Sequence, residues 1–187
     1  MNFFRLLSAM LLSASVVAGA ENAMARQDDP SLGQLFAKLR EVTDPTSAAA
    51  VQDAIWQAWI YSPDQEETRA MLLGIQAMQE QRMQDALVIF TELCRRSPDF
   101  AEAWNKRATI YWLLDDYDDS VADIGRTLAL EPRHFGALSG LGMIETERGN
   151  LAAAVRAYEK ALEVNPHLAD MRREVERLKK AIKDRET

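Results

Sequence analysis

The 187-residue chain holds a single cysteine, Cys94, and only two histidines, His134 and His167. One cysteine excludes an intrachain disulfide framework and any CxxC metal knuckle. The histidines stand apart and no HExxH occurs, so neither a transition-metal site nor a nucleophile–base pair is evident. Glycine and proline are scarce, at 8 and 6 residues, too few for an all-β chain that turns about every ten residues. Basic residues are in deficit, with 22 Lys and Arg against 29 Asp and Glu, a net charge of −7. That argues against a nucleic-acid partner, whose binding rests on a basic surface that neutralises phosphates. The remaining composition, 48% apolar and 27% charged, is that of a folded chain and excludes disorder and collagen-like structure.

The N-terminus reads as an address. Met1 to Arg5 carries one basic side chain, and Leu6 to Ala20 follows for 15 residues without a charge. A comfortable membrane span needs about 20. Two small-x-small sites come next, Ala18-Gly19-Ala20 and Ala23-Met24-Ala25, the second beyond polar Glu21 and Asn22. The pattern is that of a secretory signal peptide, cut before Arg26 to release an exported, periplasmic chain without stable membrane insertion. An uncleaved, tilted anchor is the alternative. Residues 1–25 are therefore set apart from the fold.

Pro98, Pro132 and Pro166 stand 34 residues apart, and the windows 67–100, 101–134 and 135–168 align without gaps. Position 8 reads Gly74, Ala108, Gly142; position 20 reads Ala86, Ser120, Ala154; position 24 reads Phe90, Ile124, Tyr158. Within a window apolar residues recur at helical spacing, as in Leu87, Phe90, Leu93 and Cys94, and a polar break such as Gln81-Arg82 or Gly149-Asn150 divides two runs. Asp99 followed by Glu102 reads as a capping-box variant. Each window resembles a tetratricopeptide repeat, W-x2-L-G-x2-Y, then A-x3-F, then P. The first keeps Leu73-Gly74, Ala86-x3-Phe90 and Pro98. The second keeps Trp104, Tyr111 and Pro132, with Arg107 and Ser120 where Leu and Ala are usual. The third keeps Leu141-Gly142, Ala154, Tyr158 and Pro166. The expected fold is all-α, a right-handed superhelical solenoid of three helix pairs, since each pair must bury its open face on the next.

The flanks fit such a solenoid. Residues 169–187 place Met171, Val175, Leu178 and Ile182 on one face, an amphipathic C-terminal cap. In residues 26–66, Ser31-x2-Gln34 starts a helix with Leu35, Phe36 and Leu39, Asp44-Pro45 breaks it, and a second helix carries Val51, Ile55, Ala58 and Trp59. With Pro63 at position 32, this pair looks like a degenerate zeroth repeat. Trp56 and Trp59 would then cover the open face of repeat 1, or mark a dimer contact.

No catalytic constellation, metal site or cofactor motif is found. Cys94 occupies the slot of Leu128 and Leu162 and reads as a small buried hydrophobe. Asp115 to Asp119 lacks the glycine and terminal glutamate of a calcium loop and reads as a solvated turn. What the resemblance implies is a concave groove lined by the first helix of each pair. Its residues here are Met71, Ile75, Met78, Asn105, Lys106, Thr109, Trp112, Ser139 and Met143. The alternative is that Met71, Ile75, Met78 and Trp112 pack against neighbouring helices or against the N-terminal segment folded into the groove. Chaperone-binding relatives carry a carboxylate clamp of Lys and Asn. Met71, Ile75 and Lys106 depart from it, so an acidic C-terminal tail fits less well than a peptide with an apolar residue. The expectation is a non-enzymatic adaptor binding a protein or peptide, similar to exported repeat proteins of Gram-negative bacteria, alphaproteobacteria among them. A homo-oligomeric structural subunit, joined through the groove or the Trp-bearing helix, is the other reading.

Overall fold

The computed structural model describes residues 27 and 29–185, and the segment read as an export signal lies outside the described residues. Among the described residues the fold is all-α: α1 (Ser31–Glu41), α2 (Pro45–Ile60), α3 (Gln65–Gln79), α4 (Met83–Arg96), α5 (Ala101–Leu113), α6 (Tyr117–Leu130), α7 (Phe135–Glu147), α8 (Leu151–Val164) and α9 (Ala169–Arg185). None of these helices is long and apolar enough to cross a membrane. The pairs α3–α4, α5–α6 and α7–α8 are the three repeats, and α9 closes the last.

Each pair is set by the same local chemistry. The residue at position 15 of every repeat turns left-handed: Gln81 (φ 59°), Asp115 (φ 60°) and Gly149 (φ 77°). The next amide reaches back across the turn, Arg82 N–H to Ala77 O at 2.8 Å, Asp116 N–H to Tyr111 O at 2.9 Å and Asn150 N–H to Glu145 O at 2.8 Å. That is a Schellman-type stop, three times over. Every second helix ends on the residue before proline, with Ser97, Glu131 and Asn165 at φ −131°, −133° and −128°. Proline's ring bars the helical conformation there.

Positions 8 and 24 lock the two helices of a pair together. A Cβ on Gly74 would sit 2.5 Å from the Phe90 ring, and one on Gly142 would meet the Tyr158 ring. Ala108 faces the smaller Ile124 in repeat 2. The small residue and the large one are thus complementary within each repeat. In repeat 2 the departures from consensus are also paired. Arg107 donates twice to Asp123, at 2.7 and 2.8 Å, and Ser120 Oγ donates to Ala108 O at 2.7 Å.

Two helix starts differ from expectation. Asp29, two residues earlier than expected, accepts from Ser31 N–H at 2.7 Å, and Ser31 makes no cap bond to α1. At α5 neither Asp99 nor Glu102 forms the capping box, because Glu102 is turned inward and buried. Asp44 does cap α2, accepting from Ser47 N–H at 2.7 Å, with Pro45 in the first turn.

The N-terminal pair does not stack on repeat 1 as a zeroth repeat. α1 runs beside the turns between repeats. Gln27 bonds Asp99 O and Ala101 N–H, the Arg133 guanidinium lies 4.5 Å from the Phe36 ring, and His167 Nε2 donates to Leu39 O at 2.8 Å. α2 then returns along α5 and α7. The side chains of both helices form one apolar cluster with Phe135, Val164 and Leu168 of repeat 3. Trp56 and Trp59 therefore do not cover the open face of repeat 1. Among the described residues no helix pair caps that end of the stack, where Arg69, Leu72, Leu73 and Gln76 line an open hollow of about 450 Å³ with Tyr61 and Ser62.

Candidate functional site

The first helices of the repeats, α3, α5 and α7, carry the face on which the nine expected groove residues fall. The structure divides them into three groups. Met71, Ile75 and Met78 are buried in one cluster with Ile60, Phe90, Leu93 and Phe100. Asn105, Lys106, Ser139 and Met143 are also buried, whereas Thr109 and Trp112 stay half-buried. Ser139 Oγ donates to Phe135 O at 2.7 Å, and Thr109 Oγ1 to Asn105 O at 2.9 Å. Trp112 Nε1 donates to Glu147 at 3.2 Å. A crevice of about 20 Å³ lies beside Trp112, among Asn105, Thr109, Gly140 and Met143. It holds no more than a water-sized group.

The centre of the face is a buried polar network roofed by α2. Glu102 is 1% exposed, forms an ion pair with Lys106 Nζ at 3.0 Å, and accepts from Asn105 Nδ2 at 3.0 Å and His134 Nε2 at 2.8 Å. His134 is the N-cap of α7, its Nδ1 accepting from Ala137 N–H at 3.1 Å. In the neutral ring the proton therefore sits on Nε2 and points at Glu102. Burial works against ionisation of Glu102, but the Lys106 ammonium and the His134 bond outweigh it and hold the carboxyl at about 2.

Trp59 stacks on His134 at 4.0 Å and 12°, and Trp56 meets Phe135 and Trp59 edge-on at 5.3 and 5.2 Å. Lys106 Nζ lies 5.3 Å from the Trp56 ring. A Cβ on Gly136 would sit 2.5 Å from Trp56 Cη2, so α7 is hollowed to admit the indole. Glu102, His134, Phe135, Gly136 and Trp56 were not among the expected site residues. Gly136 was legible as the small residue at position 2, where the other repeats have Thr68 and Glu102.

The chemistry available here is that of a docking surface. Cys94 is buried and its thiol is pushed up to about 12 by desolvation, far from a nucleophile. Among the described residues no group of three or more His, Cys, Asp or Glu could hold a metal ion. The acidic turn is spent locally, Tyr117 O–H donating to Asp115 at 3.1 Å and Asp118 pairing with Arg148.

Paired helices with a small-on-large contact in each repeat, a shared turn and a capping helix define an α-solenoid of the helical-repeat class. The family model described as Tetratricopeptide repeat matches residues 71–124 and 108–169. A TPR repeat-containing protein of Rhizobium etli is 34% identical over 180 residues, covering 89% of this chain and 88% of that protein. The chain belongs to the tetratricopeptide repeat family. A Bos taurus SGT1 homolog is 33% identical over 105 residues, 56% of this chain, which spans only 31% of that protein's length. Two solved structures share the fold. The first TPR of Spaghetti, bound to an HSP90 peptide, aligns with a TM-score of 0.60 and 20% identity, over 63% of this chain and 94% of its own. The Yersinia enterocolitica type III secretion chaperone SycD, in complex with a peptide of the translocator YopD, gives 0.60 and 16%, over 66% and 97%.

Proposed function

We propose that the protein is a non-enzymatic adaptor that is exported, freed of its signal before Arg26, and binds a protein or peptide partner in the cell envelope. One observation carries the reading: the groove face holds a helix, α2, through rings and apolar side chains that reach across two repeats. A surface that seats one helix in this way is built for helix-in-groove recognition. Support comes from neighbours of the same fold that are seen with bound peptides, an HSP90 peptide on Spaghetti and a YopD peptide on SycD. The buried Lys106–Glu102 pair leaves no free cation at the clamp position, so an acidic tail is not the partner we infer.

Co-purification of residues 26–187 from the native envelope fraction, wild type beside Trp112→Ala, tests this. Loss of a partner with a fold unchanged by circular dichroism is the expected result. A wild-type chain that brings down no other protein refutes the adaptor reading. Mass spectrometry of the chain recovered from a periplasmic extract tests the address, with Arg26 expected as the first residue.

A further inference from the structure

The groove occupant is also the best description of what the groove accepts. α2 presents Trp56 and Trp59, one helical turn apart, to a floor of His134, Phe135 and Gly136. Gly136 makes room for one indole, and the flat His134 ring, fixed by Glu102 and Ala137 N–H, makes a stacking surface for the other. The fit leaves an indole donor unmatched. Trp59 Nε1 is buried without a hydrogen-bond partner among the described residues. A buried donor left unsatisfied weakens the contact that buries it, and a ring without that N–H would not carry the penalty.

We propose that α1–α2 is a displaceable internal ligand, and that the partner is an amphipathic helix carrying two aromatic residues at i and i+3, which takes the place of Trp56 and Trp59. This rests on the adaptor reading. A groove filled from within lowers the apparent affinity of any partner by the fraction of time it stays closed. Binding and release of the N-terminal pair are then one event, and the freed α1–α2 reports it.

The probe is a labelled synthetic peptide of residues 45–62 with a lysine tail for solubility. It is titrated into residues 26–187, wild type and Trp56→Ala/Trp59→Ala. The double variant removes the internal competitor's grip and leaves the floor intact. The peptide should bind the double variant at least tenfold more tightly than wild type, and a peptide with both indoles replaced by alanine should not bind. Equal binding to the two proteins, or none to a folded double variant, overturns the proposal. So does a doubling of mass with exchanged α1–α2, which would make a second copy the occupant. If the double variant does not fold, amide exchange of the wild type and of Gly136→Ala decides. The amides of α1–α2 should exchange before those of α5–α8 and faster still in Gly136→Ala, where the new Cβ crowds Trp56. Exchange of all helices at one slow rate overturns the proposal. A negative titration beside a retained envelope partner sinks displacement alone, whereas a positive titration with no partner in the envelope sinks the adaptor reading alone.

Discussion

Replacing Glu102 by glutamine isolates the charge at the centre of the groove face. The side chain keeps its shape, but the negative charge 3.0 Å from Lys106 Nζ and 2.8 Å from His134 Nε2 is lost. Removing one member of a buried ion pair costs about 3–5 kcal/mol. The direction of the pKa agrees: the partners hold the carboxyl at about 2 against an ordinary 4.5. The sign follows from the direction of the shift. A lowered native pKa contributes stability that is complete above pH 4.5 and is lost as pH falls towards 2.

Urea unfolding followed by far-UV circular dichroism, at steps from pH 7 to pH 3, measures it. Glu102→Gln should be about 3 kcal/mol less stable than wild type at pH 7, and the gap should narrow as the pH drops below 4.5. Adding Lys106→Met removes the second charge and should recover more than half of the loss, because an uncharged pair of similar volume carries little desolvation cost. A gap under about 1 kcal/mol at pH 7, or one that does not change with pH, would refute the claim that this carboxylate is held ionised by its partners.

Three further expectations follow from the repeats. Gly74→Ala places a Cβ 2.5 Å from the Phe90 ring; overpacking should outweigh the gain in helix propensity by about 1 kcal/mol, a fall in Tm of about 2–4 °C by calorimetry. Gln81→Gly should raise stability by about 0.5 kcal/mol in the same experiment, since glycine adopts the 59° φ at no steric cost; a loss would show that the turn is unstrained. Cys94, its thiol pushed up to about 12 by burial, should resist Ellman's reagent at pH 8 until urea unfolds the chain; rapid labelling of the native protein would contradict its packing.

The repeat was open to reading from sequence because its determinants are local and recur every 34 residues: the glycine–ring pair of Gly74 and Phe90, the stop before Pro98, the left-handed residue at position 15. The cap was open for the same reason. Met171, Val175 and Leu178 occupy positions 3, 7 and 10 of a fourth first helix, and all three are buried. The site was not. It is made where a non-repeating segment meets the repeats, and a contact such as Trp56 on Gly136 has no period to betray it.

Yet the misplacement of the N-terminal pair did leave a trace in the repeats themselves. Position 3 reads Arg69, then Ala103 and Ala137; position 10 reads Gln76, then Ile110 and Ile144. The alanines and isoleucines are buried beneath the preceding repeat, while Arg69 and Gln76 are exposed. A repeat with charge and amide on its stacking face ends the solenoid rather than continuing it. The apolar helices before it, with two indoles to bury, then had to seat themselves elsewhere. The groove face, whose position 2 had been pared to Gly136, was the surface with room for them.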